Sequence, residues 1–109
     1  MEPAYRYRAT LHRVIDADTY ELDVDCGFTV TVRVAVRLRG FNAPERLTRN
    51  ASAATFAATT LLSGVPLIVE TRRLRGPDAQ SFAQYAADIY VADVHVGHML
   101  ESLGHGAMV

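Results

Sequence analysis

One long alternating segment constrains what this chain can fold into more than any other part of the sequence. Across residues 28–39, apolar side chains share one parity, while threonine and arginine dominate the other, as in a half-buried β-strand. The apolar parity consists of Phe28, Val30, Val32, Val34, Val36 and Leu38. At about 3.3 Å per residue, a strand of this length can serve two sheet neighbours if it bends, which is how small barrels close. Arg37 is then expected to point away from the core.

Two further strands are predicted before this segment. Residues 5–15 are rich in aromatic and β-branched residues, and their alternation is typical of a half-buried strand. In residues 20–25, apolar residues alternate with acidic ones, and Cys26-Gly27 supplies a turn. The acidic residues of this segment are expected mainly on the solvent face of its strand. The first three strands therefore form a meander.

An alanine-rich helix is predicted next, over residues 50–63. Asn50 is a plausible cap at its start, and Gly64 follows its end. The apolar residues at helical spacing are Ala53, Phe56, Ala57 and Leu61. This spacing predicts about three turns with one apolar face.

The chain then returns to strands and ends in a second helix. Residues 66–71 and 82–91 have the composition of strands. Asp93 is predicted to cap a last helix that stops at Gly104. The apolar stripe of that helix consists of Val96, Met99, Leu100 and Leu103.

The predicted order of elements, β-β-β-α-β-β-α, defines a mostly β fold with helices, of the α+β class. With 109 residues, of which 50% are hydrophobic, the chain can bury one core but hardly two. Residues 1–109 are therefore expected to form a single domain. Three meandering strands, an inserted helix and two closing strands match a five-stranded barrel of the OB type.

Charge and cysteine content limit the classes of function. A formal net charge of −1 argues against an overall electrostatic grip on nucleic acid, although a local basic patch remains compatible with it. All 11 basic residues are arginine, which suits two-point contact with phosphate and equally fits codon bias in a GC-rich genome. Cys26 is the single cysteine, so neither an intrachain disulfide nor a thiolate-rich metal site is expected. Without an evident signal peptide or membrane-spanning stretch, the prediction is a cytoplasmic protein with no membrane partner.

Residues suited to chemistry collect where the long alternating segment ends. The sequence there reads Arg37-Leu38-Arg39-Gly40-Phe41-Asn42-Ala43-Pro44-Glu45. An arginine projects from the strand, a glycine releases the chain, and an amide and a carboxylate bracket a proline. A guanidinium can stabilise charge on phosphoryl oxygens, and a carboxylate can orient or deprotonate water. The pattern predicts a functional site at this strand end.

Three segments of the chain resemble the signature segments of the staphylococcal nuclease (thermonuclease) family, in the same order. They are Val14-Ile15-Asp16-Ala17-Asp18-Thr19, the stretch from Arg37 to Glu45 given above, and Phe82-Ala83-Gln84-Tyr85-Ala86-Ala87-Asp88-Ile89-Tyr90. Leu103-Gly104-His105-Gly106 is similar to the closing motif of the family. The resemblance implies an OB barrel and calcium-dependent cleavage of DNA and RNA phosphodiesters.

Roles follow from the resemblance where residue types match. It implies that Arg37 grips the scissile phosphate, that Glu45 activates the attacking water, and that Asp18 ligates calcium. Asn42, the Ala43 carbonyl and, further out, Asp16 complete the candidate metal site. Calcium prefers such hard oxygen ligands.

Three departures from the family pattern bear on the expectation of catalysis. Asn42 stands where the family usually has a second metal-ligating aspartate, which removes a full charge and predicts weak Ca²⁺ binding. Gln84 stands where the family has a second catalytic arginine, and a charge-stabilising arginine is worth roughly 10³ to 10⁵ in phosphoryl-transfer rate. Ala17 also replaces a usual glycine, which would reshape the turn if a positive φ were needed there.

Further phosphate or nucleotide contacts are predicted around the third segment. Gln84 and the arginines Arg72, Arg73 and Arg75 are candidates, the arginines equally readable as a solvated loop. Phe82 would stack on a base or pack against the barrel.

The sequence thus predicts a divergent nuclease-like domain that binds nucleic acid or nucleotide phosphates with weak or no cleavage. Binding without turnover would suit a nucleotide-sequestering protein of the kind that phages use. The alternatives are an active calcium-dependent endonuclease and a non-catalytic protein-interaction module, since fold does not fix function. A further alternative is a zinc site on the last helix, formed by His95, His98, Glu101 and His105.

Overall fold

A computed structural model describes residues 4–45, 48–72 and 84–109. The first three strands form an antiparallel meander. They are β1 (Ala4–Asp16), β2 (Thr19–Asp25) and β3 (Thr31–Leu38). Ala9 faces Val24 across β1 and β2, and Tyr20 faces Val36 across β2 and β3. The apolar parity of each strand therefore lies on the same, inner face of the sheet.

Two later strands close this sheet into a barrel. They are β5 (Leu67–Arg72) and β6 (Gln84–Val91), which pair antiparallel with each other. β5 pairs antiparallel with β1, and β6 pairs in parallel with the second half of β3. The result is a closed five-stranded barrel with two helices, so the predicted OB-like α+β fold is confirmed. The expectation that the long third strand serves two neighbours is also correct.

Three two-residue strands were not expected from the sequence. β4 (Phe41–Asn42) pairs antiparallel with β8 (Ala107–Met108), so the chain terminus lies beside the end of the candidate site segment. β7 (Val94–His95) forms a hairpin with β6. The hairpin turn contains Ala92 and Asp93, both with positive φ.

The first helix, α1 (Arg49–Leu62), corrects two predictions. Thr48 is its N-cap, because the Thr48 hydroxyl accepts a hydrogen bond from the Ala51 N–H at 3.0 Å; Asn50 already lies within the helix. Its buried face consists of Ala54, Ala58 and Leu62. Phe56, predicted on that face, is 74% exposed. Because α1 contains many small alanines, more than one of its faces is able to pack. Contact with β1 determines which face is buried.

The second helix, α2 (Val96–Ser102), begins later than predicted. Its N-cap is His95, whose Nδ1 accepts a hydrogen bond from the His98 N–H at 3.3 Å, and not Asp93. Val96 and Leu100 are buried as expected, whereas Leu103 lies beyond the helix end and is exposed. Gly104 follows with a φ of +80°, as the stop signal predicted.

The start of the long alternating segment is a turn rather than a strand. Gly27, Phe28 and Thr29 all have positive φ, and β3 begins at Thr31. Phe28 is 97% exposed, and Val30 and Val32 are also exposed, so the start of the predicted apolar face is not buried. The inner face of β3 reaches the core only from Val34 onward, where β6 lies beside it.

The core fills the barrel and the space under both helices. Its largest fully buried side chains are Tyr20, Phe41, Leu22, Leu38, Leu62, Leu67, Ile89, Leu100, Val36 and Val96. Within the described ranges, neither helix has the length and apolar character needed to cross a membrane.

Candidate functional site

The residues predicted to carry chemistry line one cleft at the end of β3. The cleft has a volume of about 580 Å³. It is lined by Asp16, Asp18, Thr19, Arg37, Asn42, Ala43, Pro44 and Glu45. Both predicted catalytic residues and all four predicted metal-site residues therefore share one cavity. Thr19 and Pro44, which were not predicted as site residues, line it too.

Asp18 lies at the centre of the contacts within the cleft. Its Oδ1 accepts a hydrogen bond from the Thr19 hydroxyl at 3.1 Å. Its Oδ2 accepts a long hydrogen bond from the Ala43 N–H at 3.5 Å and lies 3.8 Å from Nη2 of Arg37. The carboxylate thus links the β1–β2 turn to the segment that follows β3.

The backbone on each side of Asp18 is held by buried groups. The Asp18 carbonyl accepts a hydrogen bond from the Leu38 N–H at 2.8 Å, which joins the turn to the end of β3. The buried Tyr20 hydroxyl donates to the Ala17 carbonyl. Burial and then the negative charge of Asp18 raise the pKa of Tyr20, so the phenol stays protonated. Ala17 does not adopt a positive φ, so the turn accommodates its side chain.

Strand register explains why Arg37 differs from the other arginine on its face of β3. Asp23 of β2 lies opposite Arg33, and the two form a two-point ion pair with distances of 2.8 and 3.3 Å. Thr19, which is uncharged, lies opposite Arg37. The Arg37 side chain is 54% exposed, and its 3.8 Å approach to Asp18 is longer than a hydrogen bond. Arg37 is thus available to an anion in the cleft, whereas Arg33 is already committed to Asp23.

Asn42 is positioned by a strand distant in sequence, and Glu45 by the cap of the helix that follows it. Asn42 pairs with Ala107 in the two-residue ladder of β4 and β8, and the Val109 N–H donates to the Gly40 carbonyl at 2.6 Å. The Glu45 carbonyl accepts a hydrogen bond from the Thr48 hydroxyl at 2.6 Å, so the cap of α1 also holds the Glu45 backbone. Both side chains are exposed.

The other predicted contact residues are not placed in this cleft by the structure. The backbone of Gln84 pairs with Ala35 at the start of β6, and Arg72 ends β5, but the structure does not describe their side chains. Phe82, Arg73 and Arg75 lie outside the described residues. The predictions for these five residues therefore stay predictions.

The cleft offers oxygen donors of the kind that calcium prefers. The carboxylates of Asp16 and Asp18, the Asn42 amide and the Ala43 carbonyl belong to residues that line it. Within residues 4–45, 48–72 and 84–109, however, no three His, Cys, Asp or Glu residues group closely enough to hold a metal ion. The types of donor atom fit calcium, but the carboxylates are not close enough together to concentrate negative charge at one point.

The alternative zinc site on α2 does not form. His95 uses both ring nitrogens, because Nδ1 accepts from the His98 N–H and Nε2 lies 3.0 Å from Asp88 Oδ1. Among the described residues, no group of three potential metal ligands includes His98, Glu101 or His105. This prediction fails because His95 caps the helix instead of facing a shared ligand position.

Fold and cleft together define an OB-like barrel with an acidic cleft that contains one loosely paired arginine. In sequence comparisons, neither a protein-family model nor a curated protein matches this chain.

Proposed function

We propose that this protein is a staphylococcal-nuclease-like domain that binds nucleic acid or nucleotide phosphates with weak or no phosphodiester cleavage. The observation that carries the proposal is the placement of Arg37, half exposed and only loosely paired with Asp18, in the same cleft as Glu45. A nucleotide-sequestering role is the biological form that this proposal would take.

Binding of a phosphate group is supported by the state of Arg37. An exposed ion pair at this distance contributes little, so exchanging it for a ligand phosphate costs little. A guanidinium makes short, two-point hydrogen bonds to phosphate oxygens. The cleft volume of about 580 Å³ lies in the range of small-molecule sites, which is about 300–1,000 Å³. A mononucleotide or one residue of a strand is a suitable occupant.

Weak turnover is supported by the shortage of positive charge in the cleft. Among the described residues that line it, Arg37 is the single cation, beside three carboxylates. Phosphoryl transfer depends on cations that stabilise charge on the phosphoryl oxygens, and loss of one such arginine costs roughly 10³ to 10⁵ in rate. The site is therefore better suited to holding a phosphodiester than to breaking it.

Calcium would be held weakly by Asp18, Asn42 and the Ala43 carbonyl, with Asp16 nearby. When bound, it would polarise a phosphoryl oxygen and offset the negative charge of the cleft. The Asn42 amide supplies an oxygen without a charge, which supports low affinity.

An active calcium-dependent endonuclease is the second candidate, and the position of Glu45 favours it. The carboxylate is exposed and lines the cleft together with Arg37, as a base that activates water would require.

A cleavage assay separates the two candidates. Single-stranded DNA is incubated with calcium and either the wild-type protein or an Arg37→Ala Glu45→Ala double variant. The proposal expects the same trace cleavage from both proteins, while a thermal shift shows that nucleotides stabilise the wild type. Calcium-dependent cleavage that the double variant loses would establish the nuclease instead. Failure of every nucleotide to stabilise the wild type would contradict both.

A further inference from the structure

A second arginine, Arg39, follows Arg37 on the same side of the strand end. Arg39 lies in the turn directly after β3, and both arginines are exposed whereas Leu38 between them is buried. The Arg39 N–H donates to the Ala87 carbonyl at 2.9 Å, so Arg39 still follows β6 just beyond the end of β3. Its side chain is 42% exposed, and it does not line the cleft.

Asp88 holds the Arg39 guanidinium, but only loosely. Asp88 Oδ2 lies 3.8 Å from Arg39 Nη1, whereas Asp88 Oδ1 lies 3.0 Å from His95 Nε2. Because His95 Nδ1 accepts the His98 N–H, the proton of the neutral ring is on Nε2 and is donated to Asp88. The short hydrogen bond of Asp88 therefore goes to His95, and Arg39 keeps a longer electrostatic contact.

We infer that Arg39 leaves Asp88 and becomes the second phosphate contact when a phosphodiester occupies the cleft. This inference rests on the proposed function. A phosphodiester has two non-bridging oxygens, and the guanidinium groups of two exposed arginines, one at the end of β3 and one in the turn after it, can approach them from two sides. Charge-assisted N–H···O bonds to phosphate are about 2.7–2.9 Å long. Such a bond is stronger than the 3.8 Å contact between Arg39 and Asp88. Asp88 then acts as a positioning residue that holds the Arg39 guanidinium until ligand arrives.

Binding of a fluorescein-labelled single-stranded oligothymidylate at low ionic strength, followed by anisotropy, tests this role. Arg39→Ala is expected to weaken binding about tenfold to a hundredfold, the range for a lost hydrogen bond between charged groups. Arg39→Lys should recover part of the loss, because it keeps the charge but not the planar fork. Arg33→Ala is the matched control, since Arg33 is on the same strand and already paired with Asp23, and it should bind like the wild type.

Asp88→Asn gives a readout that a merely structural role would not produce. The amide oxygen still accepts the His95 proton, while the charge that retains Arg39 is removed. Binding is expected to tighten about twofold to fivefold, the value of an exposed ion pair, and only while Arg39 is present. In an Arg39→Ala background, Asp88→Asn should have no effect on affinity.

The outcomes distinguish this inference from the proposed function. Two results would overturn the role of Arg39 but leave the proposed function standing, provided that Arg37→Ala abolishes binding. One is wild-type affinity in Arg39→Ala. The other is equal tightening by Asp88→Asn with and without Arg39. Wild-type affinity in Arg37→Ala, or no binding by the wild type, would overturn both. Thermal unfolding of each variant confirms that affinity is compared between folded proteins.

Discussion

Replacing Gly106 with alanine is expected to destabilise the protein, because the new side chain would clash where the C-terminal residues contact the site segment. A Cβ atom at this position would lie 2.4 Å from Cζ of Phe41 and 2.6 Å from the carbonyl oxygen of Asn42. Real Cβ contacts essentially never fall below 3.0 Å, so the chain or the ring must move by at least several tenths of an ångström. Phe41 is buried in the core and has little room to retreat.

The size of the effect follows from two contributions. The backbone of Gly106 has a φ of +145°, which a residue with a side chain adopts only at a cost of about 1–3 kcal/mol. Overpacking against a buried ring adds about 1–3 kcal/mol. The expected loss is therefore about 2–6 kcal/mol in the free energy of unfolding, a large part of the total for a domain of this size.

Gly104→Ala is the matched control. Gly104 also has a positive φ, at +80°, but a Cβ there would meet no atom within 4 Å. This variant incurs the backbone cost without the clash. Urea unfolding of the wild type and both variants gives the comparison through the transition midpoints. If Gly106→Ala loses no more stability than Gly104→Ala, the close packing of the terminus on Phe41 is refuted.

Three further outcomes are expected. Leu62→Ala should lower the free energy of unfolding by about 2–5 kcal/mol, and Phe56→Ala by less than about 0.5 kcal/mol; the reverse order would show that α1 packs by another face. Tyr20→Phe should cost about 1 kcal/mol by loss of the hydrogen bond to Ala17. Because the pKa of Tyr20 is raised in the folded protein, its contribution to the free energy of unfolding is fully present below pH 10.0 and is lost as pH rises above that value. Urea unfolding above pH 10.0 should therefore show a smaller fall in stability for Tyr20→Phe than for the wild type. Asn42→Asp should bind Ca²⁺ more tightly than the wild type in calorimetric titration; unchanged affinity would remove Asn42 from the metal site.

The barrel was predictable because its determinants are local and periodic. Alternation in β1, β2 and the second half of β3 placed side chains on the correct faces, including Arg37 on the outside. The candidate site was predictable in part, because two chain segments of recognisable composition supply the described residues that line the cleft.

The remaining features depend on tertiary contacts that composition does not encode. Alternation continues through Phe28, but the β2–β3 turn takes that residue out of the strand. The pairing of Asn42 with Ala107 joins residues far apart in sequence, and nothing local indicates it. The loose pairing of Arg37 follows from register, since a one-residue slip would change which β2 side chain lies opposite it.

Chemical-shift mapping can show whether the cleft at the end of β3 binds a nucleotide phosphate. The ¹⁵N-labelled protein is titrated with 5′-AMP, and the backbone amides and the Arg37 Nε resonance are followed. We predict saturable shifts concentrated at Asp18, Thr19, Arg37 and residues 42–45, which are lost in Arg37→Ala and kept in Arg33→Ala. No saturable shift, or shifts concentrated around Val32 near the start of β3, would contradict it.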